Sequence, residues 1–134
     1  MHPSQKLIMP TSVRVARIIM SVQLAGAVFL FAILVIPMVL GGVFIPEALL
    51  VIVLIVGNGV AIGVVVFGMK SRRPWVRWMG VTIQALGVVV FVLVAVIEAD
   101  FSAPLGLVLS VAVIVLLLTR SSAAWFDASP QALD

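Results

Sequence analysis

Apolar residues in this chain come in four long tracts, separated by short segments that hold nearly all the charged side chains. None of the tracts alternates apolar with polar, as a half-buried strand would, and all are far longer than a typical strand of roughly four to eight residues. They predict helices over about residues 18–40, 48–69, 75–97 and 102–119, each within the roughly 17–25 residues that cross a bilayer core. The abundant Val and Ile would favour strands in water. In hydrocarbon every backbone N–H must find a partner inside its own segment, and that requirement selects helix.

Punctuation supports the boundaries. Pro46 and Glu47 make a good first turn, because proline's missing N–H costs nothing there and the carboxylate faces the positive helix end. Ser102 with Pro104 can start the fourth helix in the same way. Pro37 falls late in the first tract and is a candidate kink or early stop. Residues 1–17 and 120–134 read as tails, mobile or lying at the membrane surface. Residues 1–40 do not read as a cleaved signal peptide, since the apolar run is too long and no A-x-A-like site follows it.

Composition turns these tracts into membrane spans. The chain is 64% hydrophobic and 10% charged, with a mean hydropathy of +1.39. A soluble domain of 134 residues needs many more charges to cover its surface. The expected fold is therefore an all-α membrane protein, four transmembrane helices in an up-down-up-down bundle. A sequence pI near 10.7 would point to nucleic acid in a soluble chain. Here the basicity reads as orientation instead, and no nucleic-acid partner is expected.

Half of the eight Lys and Arg residues lie in the twelve-residue segment Met69–Gly80, as Lys70, Arg72, Arg73 and Arg77. Lys6, Arg14 and Arg17 precede the first span, and Arg120 follows the fourth. In a four-span layout all eight basic residues fall on one side, while Glu47, Glu98 and Asp100 fall on the other. Basic residues in short loops stay in the cytoplasm, so both termini are expected there. Trp75 and Trp78 stand where indole rings anchor at headgroup level. Lys70, Arg72, Arg73, Trp75, Arg77 and Trp78 thus read first as a topology and anchoring device, with anionic lipid headgroups as a sharper alternative partner. The outer acidic rim of Glu47, Glu98 and Asp100 reads as solvated, with a shared cation site as its alternative.

The residues available for chemistry are few. There is no cysteine, which removes thiol chemistry and thiolate metal sites, and the one histidine is His2, outside the predicted spans. Neither a Ser–His pair nor a phosphate-binding loop can be assembled. The reading is not an enzyme, with no cofactor and no metal.

Polar residues inside the spans are uncharged: Ser21, Gln23, Asn58, Thr82, Gln84 and Ser110. An amide facing lipid tails costs several kcal/mol, so these side chains are expected to face other helices. They serve either as interhelical hydrogen bonds or as a polar path for an ion or small solute, and the missing intramembrane carboxylate favours the first. Gly59 and Gly63 form a GxxxG pair beside Asn58, expected to pack on span three or four or on a partner subunit. Val65→Ile is the mild comparison to Gly59→Ile if Val65 faces lipid.

A weak internal repeat relates Ser21-Val22-Gln23-Leu24-Ala25-Gly26 to Thr82-Ile83-Gln84-Ala85-Leu86-Gly87, as [ST]-[VI]-Q-x-x-G. It adds Gly26 and Gly87 to the expected helix-packing residues Asn58, Gly59, Gly63, Gln23, Gln84 and Ser110. Parallel copies would fit a duplicated helical hairpin. This motif after a basic segment, the Arg- and Trp-rich turn and the closing Val115–Phe126 stretch together resemble small four-span integral membrane proteins of actinobacteria. The resemblance covers most of the chain, implies the four-helix topology and implies no activity. Six Arg against two Lys, with abundant Val and Ala, fits a GC-rich bacterial source and hence the bacterial inner (plasma) membrane.

Two functions follow. The first is a non-catalytic accessory or assembly subunit acting through helix contacts, with a membrane-protein partner or a homo-oligomer in the lipid bilayer. The alternative is a small oligomeric channel or transporter.

Overall fold

A computed structural model describes residues 8–99 and 104–127. Every regular element in it is helical: α1 (Thr11–Gly41), α2 (Pro46–Gly68), α3 (Pro74–Glu98), α4 (Pro104–Leu118) and α5 (Arg120–Asp127), with a single 3₁₀ turn at Met69–Ser71. Three helices are long and apolar enough to cross a membrane. A fourth span is reached if Leu105–Leu118 and Arg120–Asp127, bent by 62° at Thr119, count as one.

The helix ends follow local chemistry. The first helix starts at Thr11, well before residue 18, because its two extra turns carry Arg14 and Arg17, which a helix tolerates where its end leaves the hydrocarbon. It also runs straight through Pro37 to Gly41 and stops at Gly42, whose φ of 61° only glycine takes up without strain. Proline so near the end removes one hydrogen bond from a helix that is already finishing. Pro46 sits at the first position of α2 with Glu47 in its first turn, as their sequence positions predict, and Pro74 opens α3 in the same way. Ser102 lies outside the described residues.

Each of α1 and α3 flanks both α2 and α4, so α1 and α3 are diagonal to one another across the bundle. Buried side chains recur at helical spacing on every element: Val13, Ala16 and Met20 on α1; Ile62, Val65 and Val66 on α2; Val76, Gly80 and Gln84 on α3; Ser110, Val113 and Leu117 on α4. All of them lie toward the end of the bundle that carries the Arg-rich turn. No described residue between 21 and 61, or between 85 and 109, is buried. The core therefore occupies one half of the bundle only.

The segment after Arg120 differs from the expected tail. Residues 120–127 form a short amphipathic helix whose Ser122, Trp125 and Phe126 are buried at i, i+3 and i+4 spacing. It folds under the core and closes the basic end.

Candidate interaction sites

The glutamines of the internal repeat meet. Gln84 Nε2 donates to Gln23 Oε1 at 2.8 Å, and Gln23 Nε2 donates to Gln84 Oε1 at 3.4 Å. Because α1 and α3 are diagonal, this reciprocal amide pair crosses the interior. A carboxamide carries both donors and an acceptor, so two of them can exchange one N–H···O bond in each direction. Gln84 is 3% exposed, and buried Ser110 follows one turn further on, beside Gly87.

The glycines divide. Gly59 and Gly63 face α1, not span three or four: a Cβ on Gly59 would meet Ala27 and Leu24 at 3.8 and 3.9 Å, and one on Gly63 would meet Leu24 at 4.0 Å. The hairpin partner is nearest in sequence and takes the small-residue face. Gly87 approaches Ser110, whose Oγ would lie 3.8 Å from an added Cβ, joining two of the expected packing positions. Gly26 is exposed with open space around it, so the repeat's glycines are not equivalent. Val65, far from lipid, is fully buried.

A close approach absent from the sequence reading lies at Gly80. A Cβ there would lie 2.9 Å from the Leu117 side chain and 3.2 Å from that of Val65, so this glycine lets α2, α3 and α4 converge. The available signal was spacing, since Gly80, Gln84 and Gly87 form one stripe at i, i+4 and i+7. Gly106 plays the same part opposite the Phe91 ring, at 2.8 Å.

Asn58 stands apart. It shares a stripe with Ile62, Val65 and Met69, all buried, yet it is exposed, and its side chain has no hydrogen-bond partner among the described residues. The described residues of this chain do not supply the helix it is expected to face, which leaves a partner subunit. On α2, Val65 is 0% exposed, and at i−7 and i−14 Asn58 and Val51 are both exposed. On α3, Val76 is 0% exposed, Ile83 half-buried and Val90 57% exposed, again at seven-residue steps.

At the basic end the Arg/Trp cluster separates into two sets. Arg72 lies over the Trp125 ring, 4.2 Å from its centroid, and Trp125 Nε1 donates to the Met69 carbonyl at 3.1 Å. Arg77 Nε donates to the Leu117 carbonyl at 2.8 Å, with its guanidinium 5.1 Å from the Trp78 centroid. Lys70, Arg73, Trp75 and Trp78 are exposed around them. The bend between α4 and α5 frees carbonyls from the helical ladder, and side chains claim them. Thr119 Oγ1 and Ser122 Oγ both donate to Leu116 O, at 2.8 and 2.6 Å, and Arg77 takes the next carbonyl. Ser12 on α1 approaches Ser121 and Ser122 at 2.9 Å each, tying the first helix to the last. These roles of Arg77, Ser122 and Trp125 depend on a bend that no local pattern announces.

Glu47 and Glu98 are exposed at the first turn of α2 and the last residue of α3. Asp100 lies outside the described residues. Among the described residues no group of three or more His, Cys, Asp or Glu could hold a metal. An apolar recess of about 200 Å³ beside the α1–α2 turn is lined by Met38, Val43, Phe44 and Ile52 among others, and it offers no reactive group. Comparison with known proteins gives no match to a family model, to a curated protein or to a solved structure.

Proposed function

We propose that this chain is a multi-pass protein of the bacterial plasma membrane, running up-down-up-down with both termini in the cytoplasm. In this reading it works without catalysis, as an accessory or assembly subunit held by helix contacts in a larger membrane complex. The confinement of the core to the basic half carries the reading. The other half presents long apolar helix faces and the Asn58 amide, none of them buried by the described residues. A bundle that performs its role alone would be expected to pack along its whole length. The basic end, with Lys70, Arg73 and the two exposed Trp residues around a sealed core, suits the headgroup level of the cytoplasmic leaflet, where anionic lipids add attraction.

Transport is the competing reading, and one observation weighs against it. The two amides best placed to line a path, Gln23 and Gln84, spend their hydrogen bonds on each other across the interior. Purification from native membranes in mild detergent, with quantitative mass spectrometry, should return one stoichiometric membrane complex. Flux assays on liposomes holding the purified chain provide the opposing test, since saturable transport by the chain alone would overturn the accessory role.

A further inference from the structure

On α2 the residues Val51, Leu54 and Asn58 form one stripe at i, i+3 and i+7, and all three are exposed, as is Val90 on α3. Leu54 is 62% exposed and Val90 57%. Asn58 stands at the middle of α2, about as far from either end as the helix allows. In hydrocarbon an amide there loses its hydrogen bonds to water, at a cost of several kcal/mol if nothing replaces them. An acyl chain could cover the apolar residues but could not bond to the amide. A soluble ligand or a lipid headgroup does not suit a stripe of Val and Leu.

We propose that a second copy of this chain covers this stripe, α2 against α2, with the two Asn58 side chains paired across a twofold axis along the membrane normal. Chains inserted in one orientation and related by such an axis present every residue at the same depth as its counterpart, so Asn58 meets Asn58. The carboxamide is its own complement, one acceptor and two donors against the same set. Gln23 and Gln84 make that bond inside the chain, and the Asn58 pair repeats it between chains. Gly57, whose neighbourhood is empty, leaves room beside the amide for the approaching backbone. Apolar Leu54 and Val51 extend the contact toward the outer end of α2. The inference needs only that the bundle lies in a bilayer, and it stands whether or not a larger complex is then built on the dimer.

The absence of cysteine makes the test direct. Leu54→Cys and Val60→Cys are introduced separately, and intact membranes are treated with a permeant copper–phenanthroline oxidant. Val60 is within two residues of Asn58 in depth but on the opposite side of α2, and is 61% exposed. Leu54→Cys should give a product of twice the chain mass, several-fold more abundant than that from Val60→Cys. Adding Asn58→Leu to Leu54→Cys should cut that product on the order of fivefold, and Asn58→Gln should retain most of it. Equal cross-linking at both positions, or a yield unchanged by Asn58→Leu, would overturn the proposal. So would a cross-linked product of a different mass, which would give the surface to another protein. Unfolding of each variant in detergent controls for misfolding, and retention in the membrane after carbonate washing tests the bilayer reading separately.

Discussion

Gln23 and Gln84 exchange two hydrogen bonds across the bundle interior although 61 residues separate them in the chain. On the basic side of this pair lie Met20, Val65 and Leu117, all fully buried, and on its other side contacts such as Phe91 against Gly106 join side chains that are only partly covered. Replacing either glutamine by leucine leaves the other amide without its partner, whereas replacing both leaves neither.

The two single variants should therefore each lower stability, and the double variant should cost less than the sum of the singles. The coupling expected from hydrogen bonds between membrane helices is about 0.6 kcal/mol, with an upper range near 1.7. Reversible unfolding of the four proteins in one detergent would measure it, and strictly additive losses would show that the amides do not act together.

Gly80 and Gly26 make opposite predictions. Gly80→Val would push a branched side chain against Val65 and Leu117, where even a Cβ is too close, and should destabilise by about 1–3 kcal/mol. Gly26→Ala meets nothing and should be neutral, or stabilising by up to about 1 kcal/mol through helix propensity. Melting temperatures of the two variants against the parent decide the matter.

Gly59→Ile should wedge α1 from α2 at Leu24 and Ala27, lowering the melting temperature and broadening the elution profile. The proper comparison is Val64→Ile, since Val64 is 43% exposed whereas Val65 is fully buried. If both variants melt like the parent, the α1–α2 contact tolerates far more separation than its spacing implies.

At the basic end, Trp125→Phe keeps an aromatic ring beneath Arg72 but removes the indole N–H that reaches Met69 O. A loss of about 1 kcal/mol is expected. Trp125→Ala removes the ring as well and should free α5, which proteolysis between residues 119 and 127 would report. Cutting that is no faster in Trp125→Ala than in the parent would show that the ring does not hold α5.

Orientation is measurable at single residues in the same cysteine-free background. A cysteine at Ser4 should be protected from an impermeant thiol reagent in intact cells, and one at Ser102 should react. The reverse pattern would invert the topology.

Much of this architecture was legible as pattern. Long apolar tracts required helices, Pro46 with Glu47 marked one start, and the repeated glutamines fell on stripes that came to face one another. What escaped was set by geometry between helices. The partner of Gly59 depended on which neighbour lay on its side of α2, and spacing alone left three choices open. Residues 120–127 looked like a tail because Arg120 and Asp127 bracket only eight residues, too few for a clear amphipathic signal. Asn58 shares its stripe with buried Ile62, Val65 and Met69, and spacing alone does not reveal that it is exposed within the chain.

The contact between Ser12 and Ser122 closes a loop of 110 residues, and this sets a clock on biosynthesis. At a synthesis rate of roughly 5–20 residues per second, α1 waits on the order of ten seconds before α5 leaves the ribosome. During that interval Val13, Ala16 and Met20 lack their closing layer, and the nascent α1–α2 hairpin stands in the membrane as an incomplete object. A fusion that obstructs residues 120–127 would hold the chain in that unfinished state.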